Sequence, residues 1–282
     1  MSSIIVAIDF AESSMNAFLH ALSIAQVCHK DLNMVWVQKA ESDKDKLDKS
    51  GDQSQEAKNY FEEIISKYQK DLPKNKIYYT IKTGKVFKEI TELAKETKAW
   101  MVITGTHGAT VFVEFWIGSN ANRIVSLAPC PVITIRSGID VQRPLTKIIL
   151  PIDHTMETRQ KAPFTGVLAK SFGAEVVILS LYTSKVKAVR QNIDLYSKQV
   201  SLYFDEEGIK YSIDHMQVEN LADDLIQYAK EKDANLISIM SEQGSSMMNL
   251  WMGPFAQQIV NRSPIPVLCI RSRETLASGV SF

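Results

Sequence analysis

Short apolar runs alternate along this chain with longer stretches of helical period. Residues 4–9, 33–38, 76–82, 100–104 and 132–136 are short and rich in apolar or β-branched side chains, and they read as strands. A second set follows at residues 147–152, 175–181, 210–216, 236–239 and 267–271. Strands that alternate with helices imply right-handed crossovers and a mostly parallel sheet covered by helices on both faces. The predicted fold is therefore α/β, with two tandem five-stranded sheets. Such sheets take ligands beyond the carboxyl ends of their strands, where strand order reverses. Asp9 and Gly105 both fall at such ends.

The two halves repeat one another. Ser3-Ile4-Ile5-Val6-Ala7-Ile8-Asp9 is echoed by Lys147-Ile148-Ile149-Leu150-Pro151-Ile152-Asp153 at an offset of 144 residues. Phe115-Trp116-Ile117-Gly118 is echoed by Leu250-Trp251-Met252-Gly253 at an offset of 135, as is the segment 128–136 by 263–271. The smaller offset implies a shorter middle segment in the second half, lost around the polar stretch from Lys39 to Ser54. A period this long marks a duplicated domain. The boundaries are placed at residues 1–138 and 145–275, with a linker that contains Gly138 and Pro144.

Composition narrows the function classes. The 282 residues are 45% hydrophobic and 23% charged, which suits two globular domains. Its 32 basic and 32 acidic side chains cancel, so the chain lacks the basic field that binds nucleic acid or an anionic membrane. Cys28, Cys130 and Cys269 have no metal-ligand or redox spacing and read as buried thiols in a reducing compartment. The start Met1-Ser2-Ser3-Ile4 has no basic leader, and no apolar run approaches the roughly 18 residues of a membrane helix. A cytoplasmic protein is expected.

Candidate chemistry centres on glycine. Gly105-Thr106-His107-Gly108 follows an apolar strand and is succeeded, nine residues on, by Gly118-Ser119-Asn120 at the start of a helical stretch. Glycines let backbone amides approach an anion, and the first turn of a helix adds unpaired N–H groups and a positive dipole end. A phosphate fits there. In the second half the matching positions are Met240, Gln243, Gly253, Pro254 and Phe255, so one nucleotide site is implied and not two. Gly244, one position beyond Gln243, leaves room for a shifted, altered loop.

The glycine pattern, the Asp-ended first strand and the fifth strand that opens Pro-X-Pro-Val resemble the universal stress protein family in its tandem form, over nearly the whole chain. The resemblance implies two Rossmann-like (HUP-type) domains and, in the first, an ATP site that uses Ala7, Ile8, Asp9, Val37, Thr104, Gly105, Gly108, Gly118, Ser119 and Asn120. Ala7 stands where many members have proline. Val37 would recognise adenine through its backbone, and Gly105, Gly108, Gly118, Ser119 and Asn120 would hold the phosphates. No P-loop lysine follows these glycines, so Mg²⁺ is expected to neutralise the triphosphate. The resemblance also implies pairing of the two domains through their fifth strands, as in the family's homodimers.

Other readings of these residues stay open. Asp9 also suits a helix cap or a turn. His107 lacks an orienting carboxylate and reads as a loop residue. Trp116 and Trp251, with Phe112, Phe115, Met247 and Met248 nearby, serve as packing or as a nucleobase platform, and packing is favoured because both halves keep the tryptophan. The segment from Lys39 to Lys49 is a solvated loop, or a lid, leading into a helix from Gln55. The function that follows is a non-catalytic, ATP-binding stress-response protein, since no nucleophile or base is evident. The alternatives are a slow ATPase or autophosphorylating enzyme, with Ser119 or Thr106 as phosphoacceptor, and a nucleotide-free assembly module.

Overall fold

The apolar run at the start of the chain forms strand β1, Ser3–Ala7, in the computed structural model, which describes residues 3–38, 50–106, 118–136, 143–241 and 252–272. The chain divides into two units, Met1–Gln142 and Arg143–Phe282. In the first, β1 is followed by α1 (Glu12–Cys28), β2 (Asp31–Gln38), α2 (Ser50–Tyr68), β3 (Ile77–Thr83), α3 (Val86–Glu96), β4 (Met101–Gly105), α4 (Ser119–Leu127) and β5 (Val132–Ile135). The strands lie in the order β3-β2-β1-β4-β5, and all are parallel.

The second unit repeats this with β6 (Lys147–Ile152), α5 (Ala162–Phe172), β7 (Glu175–Tyr182), α6 (Lys187–Glu207), β8 (Tyr211–Gln217), α7 (Leu221–Glu231), β9 (Leu236–Met240), α8 (Pro254–Arg262) and β10 (Val267–Ile270). Its order is β8-β7-β6-β9-β10, again parallel. The α/β class predicted from the alternation is the one observed.

Burial explains the sequence pattern. Ile4, Ile5 and Val6 of the central β1 are fully buried, because helices cover both faces and leave no solvent side for polar residues. The edge strand β3 is far less buried, with only Ile77 in the core and Tyr78 exposed. Strand order reverses between β1 and β4. Right-handed crossovers then put α1 and α2 on one face and α3 and α4 on the other, and α3 does pack beside α4.

Three element boundaries differ by two residues or more from those read in the sequence, and the other strand ends agree to within one residue. Strand β1 ends at Ala7, two residues before Asp9, because Phe10 adopts φ 64° and turns the chain away from the sheet. Strand β2 starts at Asp31, whose carboxylate accepts the Lys76 N–H at 2.9 Å and extends the pairing with the approach to β3. Helix α2 begins at Ser50 and not at Gln55, since extending a formed helix by a turn costs little even through polar residues. The shorter middle of the second unit lies between its second and third strands, residues 183–210 against 39–76 in the first.

Candidate functional site

Beyond the end of β1 the chain makes a short turn built on Asp9. Its Oδ1 accepts the Ala11 N–H at 3.1 Å, and its own N–H donates to Ser14 Oγ at 3.3 Å. Ser14 Oγ donates in turn to the Ala11 carbonyl at 2.9 Å. The turn reading of Asp9 is therefore realised, and with the residue exposed its second carboxylate oxygen remains available for a ligand. The neighbours Ala7 and Ile8 are half-buried and buried.

The backbone of Val37 faces the same region. Gln38 accepts from the Gly84 N–H at 2.9 Å and Leu32 donates to Lys76, so the even residues of β2 turn their amides toward β3. Val35 accepts the Ile8 N–H at 2.9 Å, so the odd residues turn theirs toward β1. The last β1 pair is Ala7 with Val35. Val37 thus points its N–H and C=O past the end of β1, while its side chain is buried.

On the other side of the switch point, β4 ends at Gly105, with Thr104 buried and its Oγ1 donating to the Gly105 carbonyl at 3.1 Å. A Cβ on Gly105 would stand 3.0 Å from Ser13 Oγ and 3.2 Å from the Ser13 backbone. This glycine is needed by the approach of α1, whatever else it does. Gly118 caps α4 in an extended conformation, φ −56° and ψ 141°, with no side chain capping the helix. Its N–H donates to the Thr106 carbonyl at 2.7 Å, which ties the helix start to the end of β4. Ser119 and Asn120 lie exposed in the first turn, so their N–H groups face solvent at the positive end of the helix.

The second unit keeps this frame and changes its chemistry. Gly253 N–H donates to the Ser241 carbonyl at 2.9 Å, as Gly118 does to Thr106. Asp153 repeats the Asp9 turn, with Oδ1 accepting from the Thr155 N–H at 2.7 Å and its own N–H donating to Thr158 Oγ1 at 3.2 Å. Pro254 then opens α8 and removes a donor, with Phe255 beside it.

A polar cluster that the sequence reading missed lies beneath. Lys161 is 2% exposed and donates to the carbonyl and Oγ1 of Thr158. Thr165 and Ser238 share a hydrogen bond of 2.7 Å. Burial lowers the Lys161 pKa to about 8, against the opposing pull of the Asp153 carboxylate. The Ser241 hydroxyl is fully buried with no partner among the described residues. A lysine in a helical stretch reads as surface, and only the repeat comparison could have flagged it.

Gly108, His107, Phe112, Phe115 and Trp116 lie outside the described residues, as do the Lys39–Lys49 segment, Gln243, Gly244, Met247, Met248 and Trp251. Among the described residues no group of three or more His, Cys, Asp or Glu could hold a metal, and no helix is long and apolar enough to cross a membrane.

A duplicated parallel α/β unit with a turn Asp and a glycine-capped helix facing one switch point defines a Rossmann-like class of domain. Residues 1–136 and 144–271 each match the sequence pattern of the universal stress protein family, and the chain belongs to that family. In structure it is similar to a universal stress protein from Archaeoglobus fulgidus DSM 4304, with TM-score 0.78 at 18% identity over 96% of this chain and 98% of that one. It is also similar to a functionally unknown protein from Pseudomonas aeruginosa PAO1, with TM-score 0.63 at 15% identity over 96% and 93% of the two chains. At these identities the likeness concerns the fold.

Proposed function

We propose that the first unit binds ATP across the carboxyl ends of β1, β2 and β4, and that the chain acts as a non-catalytic stress-response protein through occupancy of this site. The start of α4 carries the reading. There a helix N-terminus with no side-chain cap and with exposed Ser119 and Asn120 stands at the switch point, opened by a glycine whose missing side chain leaves the approach clear. The outward backbone groups of Val37 suit the donor and acceptor edge of adenine, and the free oxygen of Asp9 suits a ribose hydroxyl. Mg²⁺ would arrive with the nucleotide, bound to its phosphate oxygens and water, since no lysine follows the glycines to neutralise the triphosphate. The protein would then bind and orient the nucleotide while the metal neutralises its charge.

Mass spectrometry of ligand released from purified protein, followed by calorimetric titration with Mg-ATP, tests this. Adenine nucleotide bound at one per chain supports it, and no binding at millimolar Mg-ATP by nucleotide-free protein overturns it. Autophosphorylation is the second reading. Thr106 is 1% exposed and out of reach of a phosphoryl group, which leaves exposed Ser119 as the acceptor to test with radiolabelled ATP.

A further inference from the structure

Three aromatic rings converge beside the Asp9 turn. The Phe10 ring lies 4.8 Å from that of Tyr60, edge to face, and 5.9 Å from that of Trp36. Together with Gln53, Glu56 and Ala57 they line a cavity of about 340 Å³, within the roughly 300–1,000 Å³ range of small-molecule sites. Gln53, Glu56, Ala57 and Tyr60 recur at helical spacing and so present one face of α2 to it. Ala57 is 1% exposed, and its small side chain leaves the space open. Phe61, fully buried, packs 5.6 Å from Phe10 and stacks on Tyr79 at 5.0 Å, which gives the aromatic wall a rigid backing.

The fold does not demand this set. In the second unit Phe10 and Trp36 correspond to His154 and Ser180, and Ser180 instead shares a buried hydrogen bond of 2.7 Å with Ser197. The sheet closes equally well there. Phe10 also holds φ 64°, a region that a bulky aromatic side chain avoids unless its surroundings fix it.

Ring faces are negative and attract cations, most strongly when a desolvated cation meets several of them. Among the described residues that line the cavity Glu56 carries the only charge, and it is negative. We propose that this cavity is an aromatic cage for a small organic cation of the quaternary or alkylated ammonium class, with Trp36, Tyr60 and Phe10 facing the cation and Glu56 at the exposed rim. The inference does not rest on the nucleotide reading.

Choline chloride is the probe, titrated into the full chain by calorimetry at fixed ionic strength, with 3,3-dimethyl-1-butanol as its neutral carbon isostere. Choline should saturate a single site, and the isostere should bind at least tenfold more weakly. Trp36→Ala should weaken choline about tenfold, equivalent to about 1.4 kcal/mol. Glu56→Gln should weaken choline severalfold and leave the isostere unchanged. Ala57→Leu fills the space and should abolish choline binding in a chain that still unfolds cooperatively, which decides the matter if Trp36→Ala fails to fold. Equal affinity for choline and isostere, no saturation by choline, or wild-type binding by Ala57→Leu would each overturn the cage.

Discussion

Lys161 in the second unit takes the position that Ala17 holds in the first, and its Nζ donates to the Thr158 carbonyl at 2.5 Å. Ala17 is fully buried and Lys161 nearly so, which means an ammonium group has been placed in what is elsewhere a plain apolar contact. Thr165 and Ser238 replace Ala21 and Ile103 in the same layer, giving the second unit polar core groups where the first has apolar ones.

This lysine sets a pH dependence. Its pKa falls from 10.5 in the unfolded chain to about 8 in the folded one, so between these values the unfolded state binds more protons and stability rises with pH. The effect amounts to about 3 kcal/mol across the window, as an upper bound. Urea denaturation of the wild type should show stability climbing from pH 8 to 10 relative to Lys161→Met. The same variant should be the more stable protein at pH 7. A wild-type profile parallel to that of Lys161→Met would remove the buried ammonium from the account.

Gly105→Ala should destabilise the first unit by about 1–3 kcal/mol, because the added Cβ meets Ser13 at 3.0–3.2 Å and a packed helix start has little room to give. Denaturant unfolding measures this without any ligand. A neutral effect would mean that α1 shifts freely.

Asp9 can be tested for its two roles separately. Asp9→Asn keeps an oxygen to accept the Ala11 N–H, so stability should change by less than about 0.5 kcal/mol. The loss of the anionic oxygen should still weaken Mg-ATP about tenfold by calorimetry. Unchanged affinity would leave Asp9 as a turn residue alone.

Gly118→Val should abolish nucleotide binding, since its Cβ would crowd the Thr106 carbonyl at 3.1 Å and the branched side chain would cover the helix start. Gly253→Val should leave binding intact. In a thermal shift assay, Mg-ATP at a hundredfold excess over its dissociation constant adds about 2.7 kcal/mol of stability. That shift should vanish only in the first variant, and equal loss in both would contradict a single site.

The strands were legible in the sequence because their burial on two faces forces continuous apolar runs, as in Ile4-Ile5-Val6. The frame of the candidate site was legible too, since glycine followed by a helix start leaves a mark at fixed spacing. The turn at Phe10 was not, because φ 64° at an aromatic residue contradicts local preference and is imposed by its packing against Trp36, Tyr60 and Phe61. The cage residues sit on a loop, a strand and a helix far apart in the chain, and no periodicity connects them. Lys161 was hidden for the opposite reason, as its neighbours look like any helical surface until Ala17 is set beside it.

Pro254 lies at the first position of α8, where the first unit has Ser119 at the start of α4. If, as proposed, the first unit alone takes the nucleotide because Pro254 offers no N–H at the matching helix start, a single chain would answer ATP along a plain hyperbola. On that reading it would register concentration gradually, as a gauge, and any threshold in the response would come from what the occupied chain meets next.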